Sequence, residues 1–146
     1  MKEIELSRGR LSVHVNQQHT HWHLDDLLDF AERINPKRAF LFVSKVLGKH
    51  IPVAPSVMKR SYEDLVNLIP KNLQGPICVI GMAETAVGLG AGVYRELKKQ
   101  YAHDAIFLTT TRHPVSTLPT LGLFLEEHSH AQDQFILSSH DTEKHQ

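Results

Sequence analysis

Three short apolar runs, AFLFVS at 39–44, ICVIG at 77–81 and AIFLTT at 105–110, constrain this chain more than anything else in it. Each is continuous rather than alternating and too short for a core helix, the pattern of a strand covered on both faces. Helical periodicity fills the gaps. HLDDLLDFAERI places Leu24, Leu27, Leu28, Ala31 and Ile34 on one face, with Asp25 and Asp26 near the positive end of the helix dipole. Ser61, with Asp64 three residues on, makes a capping-box-like start for YEDLVNLI. Residues 84–101 bring Ala86, Gly90, Val93, Leu97 and Tyr101 to one face and end in RELKKQ, cations at the negative end of the dipole. Strand–helix–strand–helix–strand predicts an α/β fold with a mostly parallel sheet and flanking helices. An early β excursion carries Leu11, Val13 and Val15, and QFILS at 134–138 predicts a fourth core strand. The stretch 111–133 reads as long and mostly irregular, the length of a lid or binding hood. The expected organisation is one domain over 1–146, with a histidine-rich lead-in at 1–23.

Composition narrows the function classes. Lys+Arg and Asp+Glu balance at 16 each, which argues against a nucleic-acid or membrane-surface protein. The single cysteine, Cys78, lies in an apolar run and reads as a buried small hydrophobe, so no disulfide framework arises. With no apolar signal core and no long apolar window, a soluble cytoplasmic chain is expected.

In open parallel sheets, ligands sit beyond the carboxyl ends of the strands. That rule selects SKVLGKHIPV, GMAETAVG and TTTRHP. In the first, Ser44, Lys45, Lys49 and His50 surround Gly48; a glycine permits close backbone approach and lysines supply charge, a combination suited to pyrophosphate. In the second, Gly81, Glu84 and Thr85 stand where free amides at a helix N-terminus attract anions. Thr85 is placed to donate to a phosphate or ribose hydroxyl, and Glu84 to contact ribose or a metal-bound water. The close-spaced glycines Gly88, Gly90 and Gly92 lie too deep in the helix for a dinucleotide fingerprint and read as packing positions; no G-K-[ST] follows, which excludes a P-loop. In the third, Thr110 and Arg112 offer a hydroxyl and a permanent cation for phosphate or an acidic base.

The text NPKRAFLFVSKVLGKHIPV (35–53), VIGMAETAVGLGAGV (79–93), LTTTRHP (108–114) and EEHSHA (126–131) resembles a phosphoribosyltransferase family related to the orotate enzymes, of the type found in tellurite-resistance and stress-response gene clusters. The likeness covers about residues 20 to 135. It implies a type I phosphoribosyltransferase-like fold and transfer of phosphoribosyl from phosphoribosyl pyrophosphate to a nucleobase-like acceptor, with Mg2+, in a homodimer. It also implies that Ser44 to His50 contact pyrophosphate and that 111–130 forms a hood over the site. The acidic-pair loop of type I enzymes, D-D-x-x-[ST]-T-G, does not occur; the chain ends FILSSHDTEKHQ, leaving Asp141 as the first substitute. The fold is therefore expected to be incomplete at its C-terminus. The alternative reading is a non-catalytic truncated remnant serving as a nucleotide-binding or interaction module, and on that reading the chain alone is expected to bind the donor weakly and turn over no base. His19, His21 and His23 alternate in HTHWH but lack further ligands nearby, so they read as solvent-exposed rather than a zinc site, and HSH at 128–130 as a structural hood segment.

Overall fold

The computed structural model describes residues 1–34, 40–101, 104–126 and 132–138. The chain divides into two compact units, Met1–Ser61 and Tyr62–Gln146, where the sequence reading expects one domain.

The first unit opens with a hairpin of β1 (Lys2–Leu6) and β2 (Gly9–Val13), in which Ile4 faces Leu11 and Leu6 faces Gly9. The helix expected over 24–34 is only one turn, α1 (Leu24–Leu27), and the chain continues as β3 (Leu28–Glu32). β3 pairs antiparallel with β4 (Phe40–Ser44), so that Phe30 lies opposite Phe42 with ring centroids 5.4 Å apart. Leu24, Leu27, Leu28 and Ala31 fit a helical stripe, but residues 28–32 also alternate; a five-residue ladder with a cross-strand aromatic pair outweighs local helix propensity.

β4 was expected to run parallel with the later core strands, and the structure corrects this: β3 and β4 form their own two-stranded antiparallel sheet. Strands adjacent in sequence pair antiparallel through a short connection, whereas parallel pairing needs a long crossover. α2 (Pro55–Asn67) begins well before Ser61, because proline is tolerated in a first helical turn, where no N–H partner is required. Ser61 then lies inside the helix, and its hydroxyl donates to the Met58 carbonyl at 2.7 Å.

The second unit holds a four-stranded sheet in the order β5–β6–β8–β7: β5 (Ile77–Gly81), β6 (Ala105–Thr111), β7 (Thr120–Leu125) and β8 (Asp133–Leu137). β5 and β6 are parallel, joined through α3 (Val87–Gln100), as expected of a βαβ crossover. β6–β8 and β7–β8 are antiparallel. Among the described residues the sheets are thus mixed rather than mostly parallel, and the irregular stretch expected over 111–133 contains a strand. Leu121, Leu123 and Leu125 alternate in it, the period of a half-buried antiparallel strand.

Val66, Leu97, Tyr101 and Ala105 form the core of this unit, with Ile77, Val79 and Val93 packed against them. The Tyr101 hydroxyl donates to the Ile69 carbonyl at 2.8 Å. α3 lies against the face of β5 and β6 that bears Val79 and Phe107. Gly90 permits the approach: a Cβ there would stand 2.9 Å from both the Gly81 Cα and the Phe107 ring. A Cβ at Gly92 would fall 2.3 Å from the Tyr62 ring, so these two helix glycines are packing positions, whereas Gly88 has open space. On the opposite face, Cys78, Ile80 and Ile106 are exposed, which corrects both the buried cysteine and the two-sided cover expected of these strands.

Candidate functional site

The β5–α3 turn is built from below by two side chains of one strand end. The Ala83 N–H donates to Thr110 Oγ1 at 2.7 Å, and the Arg112 guanidinium donates to the Ala83 carbonyl at 3.0 Å. Residues two apart on an extended chain face the same side, so positions 110 and 112 hold both polar groups of a single peptide residue. Thr110 passes its own proton on to Gln134 Oε1 at 2.5 Å. Thr110 is 3% exposed and Gln134 is fully buried. Thr110, expected to meet substrate, therefore supports the turn from within. Gln134 Nε2 has no hydrogen-bond partner among the described residues.

With the turn so held, Glu84 and Thr85 project into solvent ahead of α3. Glu84 is 81% exposed, and its carboxylate lies 3.8 Å from Arg112, which also stands 4.0 Å from Glu126. α3 has Ala86 at its N-cap and no side-chain cap. Its first turn thus offers backbone donors beside the Thr85 hydroxyl, an arrangement that attracts anions. Gly81 is buried at the root of the turn, where a Cβ would press on the Ala86 carbonyl at 3.0 Å. Gly81, Glu84, Thr85, Thr110 and Arg112 are thereby brought together, as the strand-end rule required.

The loop after β4 belongs to the first unit. Ser44 Oγ accepts the N–H groups of Val46 and Leu47, both at 3.2 Å, folding the loop back on its strand. Lys45 is not a loose cation: its ammonium donates to the Asp25 carbonyl at 2.6 Å, and its N–H to the Leu27 carbonyl at 2.9 Å. Gly48 has φ 63°, a left-handed turn in which other residues are strained, and Lys49 and His50 beyond it are exposed.

Sequence reasoning missed Gln134, although it left a readable trace, a carboxamide inside the apolar strand DQFIL. Glu126 entered only as part of EEHSHA, and its approach to Arg112 left no trace in the sequence. Glu127, the histidines of 128–130 and Asp141 lie outside the described residues. His19 and His21 have ring centroids 5.6 Å apart, while His23 Nδ1 meets Gln18 at 2.6 Å. No group of three or more histidine, cysteine or acidic side chains suited to a metal occurs among the described residues.

A cavity of about 400 Å³ opens beside the turn. Phe107, Thr109 and Thr111 of β6 form its floor, and Val115, Leu118 and Leu137 its walls. Thr109 is the ladder partner of Gly81, so cavity and turn adjoin. No helix among the described residues is long and apolar enough to cross a membrane.

Compared with known proteins, the chain matches no curated protein and no solved structure. A family model, described as phosphoribosyl transferase, matches residues 27–146, from α1 through both units. By that match, which spans most of its length, the chain belongs to the phosphoribosyl transferase family.

Proposed function

We propose that this protein transfers a phosphoribosyl group from phosphoribosyl pyrophosphate to a nucleobase-like acceptor, as an orotate-related member of the type found in tellurite-resistance clusters. The observation that carries the reading is the β5–α3 turn. Thr110 and Arg112 fix its backbone, so an uncapped helix terminus and the Thr85 hydroxyl present donors to an anion without rearranging, and preorganised donors are what phosphoryl-bearing substrates reward. In the first unit, Lys49 and His50 beside the left-handed Gly48 supply exposed positive or donor groups for pyrophosphate.

Magnesium fits this scheme in a limited way. The described residues offer no protein cage for a metal. Magnesium, however, is commonly held by one or two carboxylates together with substrate phosphates, and Glu84 is the exposed carboxylate at the turn. When bound it would neutralise charge on the pyrophosphate.

The test is calorimetric titration of phosphoribosyl pyrophosphate with magnesium present, paired with a pyrophosphate-release assay over a panel of bases. Binding together with base-dependent release supports the reading. Absence of both refutes it. A homodimer accompanies the proposal: β7 is an edge strand without charge or proline over Thr120–Leu125, and it lacks the usual protection against pairing with a second copy.

A further inference from the structure

We infer that the cavity beside the turn is the acceptor pocket, and that it selects an uncharged flat heterocycle over a carboxylated one. The inference rests on the phosphoribosyl transfer proposed above and names the acceptor class for it.

Size comes first. About 400 Å³ lies within the range of small-molecule sites. Position comes second. Phe107 and Thr109 belong to the face of β6 on which α3 packs, Phe107 touching the space beside Gly81 and Gly90 and stacking on Tyr94 at 5.8 Å. Thr109 lies across the ladder from Gly81, the root of the turn. Through Thr109 the cavity borders the strand pair from which the turn springs, and a base attacking a phosphoribosyl donor held at the turn needs such a neighbouring seat.

Chemistry decides the class. Among the described residues, every side chain lining the cavity is apolar or carries a hydroxyl, and none is charged. A carboxylate seated against the Phe107 and Leu137 side of the cavity would give up hydration there, with no cation among the described lining residues to offset it. Arg112, one residue beyond the lining residue Thr111, is engaged by the Ala83 carbonyl, Glu84 and Glu126. Hydroxyls both donate and accept, so Thr109 can meet either edge of a neutral amide-bearing ring. Thr111 is less adaptable, since its hydroxyl already bonds the His113 backbone at 3.1 Å.

The experiment uses the full chain with methyl and amide labels, observed by NMR. Uracil, adenine and orotate are titrated separately, with phosphoribosyl pyrophosphate and magnesium in a parallel series. Uracil or adenine should shift the methyls of Val115, Leu118 and Leu137, while orotate at the same concentration leaves them in place. Val115→Glu, at a partly exposed wall, should weaken the neutral base at least tenfold. Equal shifts with orotate, or none with either neutral base, would overturn the inference, and neither result depends on how the variant folds. A Val115→Glu chain with native amide shifts and unchanged base binding would also overturn it. The parallel series separates the two readings. Donor shifts at residues 84–88 or 48–50 with a silent cavity sink the pocket alone, whereas their absence sinks the proposed function itself.

Discussion

Thr110→Val removes one oxygen and keeps the side chain's shape, so it isolates the hydrogen-bond relay beneath the β5–α3 turn. The hydroxyl receives the Ala83 N–H at 2.7 Å and donates to Gln134 Oε1 at 2.5 Å. Gln134 is fully buried and its Nε2 already has no partner among the described residues, so the variant leaves the whole carboxamide unsatisfied. An orphaned buried polar group costs about 1–3 kcal/mol, and the partly buried Ala83 bond adds about 1 kcal/mol. The expected loss is about 2–4 kcal/mol, or roughly 30- to 1000-fold in local opening. A chain of two units need not melt as one, so the assay is hydrogen exchange of α3, β5 and β6 amides rather than a global denaturation curve. Gln134→Met alone should also cost about 1–3 kcal/mol, because it leaves the buried Thr110 hydroxyl without its acceptor. Combined with Thr110→Val it should recover about 1–3 kcal/mol, since removing both polar partners is far cheaper than removing one. A Thr110→Val effect below threefold, or no recovery in the double variant, would show that this relay does not hold the turn.

Gly90→Ala gains helix propensity of about 1 kcal/mol but forces a Cβ to 2.9 Å from the Gly81 backbone, so net destabilisation of about 1–2 kcal/mol is expected by urea unfolding. Leu123, 59% exposed on the β7 edge, should yield a monomer on Leu123→Lys where light scattering finds a wild-type dimer; a wild-type monomer at tens of micromolar counts against pairing through that edge. Hydrogen bonds from the Ser7 hydroxyl and N–H hold the Glu32 carboxyl below its ordinary 4.5. Its stabilising share is therefore complete above 4.5 and lost as pH falls through the lowered folded value; Ser7→Ala should move the carboxyl back toward 4.5 in an NMR titration. Donor binding should strengthen with magnesium, and Glu84→Gln should shrink that dependence in calorimetry; an unchanged magnesium response would remove Glu84 from the metal's reach.

What the sequence carried best was the second unit. Apolar runs at 77–81 and 105–110 with a helical stripe between them specify a βαβ crossover almost without alternatives, because a parallel pair needs that length of connection. The strand-end rule then selected Gly81, Glu84, Thr85 and Arg112, which the structure brings to one turn. The first unit was less legible for a physical reason: Leu27, Leu28 and Ala31 fit a helical stripe while Leu28 and Phe30 alternate with Asp29 over so short a span, and the partner strand that decides between the patterns lies a loop away. β7 was hidden differently. Leu121, Leu123 and Leu125 alternate, but the prolines at 114 and 119 and the length of the stretch read as a loop until β8 supplies a ladder. Thr110 was found for the wrong role, since an exposed strand end and a buried one look alike until Gln134 is seen across the sheet.

The arrangement at the turn also bears on what kind of anion belongs there. Arg112 is shared between Glu84 and Glu126, so these three side chains carry one negative charge in excess. The positive end of α3 contributes about half a unit charge, which does not outweigh it. A bare phosphate approaching the turn therefore meets backbone donors that favour it and an exposed carboxylate that repels it. A phosphate accompanied by a divalent cation meets the same donors, while Glu84 turns from a repulsive neighbour into an attractive one. The geometry that pins Ala83 from below is what makes this discrimination local. With its backbone held at both polar groups, Ala83 presents Glu84 ahead of α3 from a fixed point on the chain.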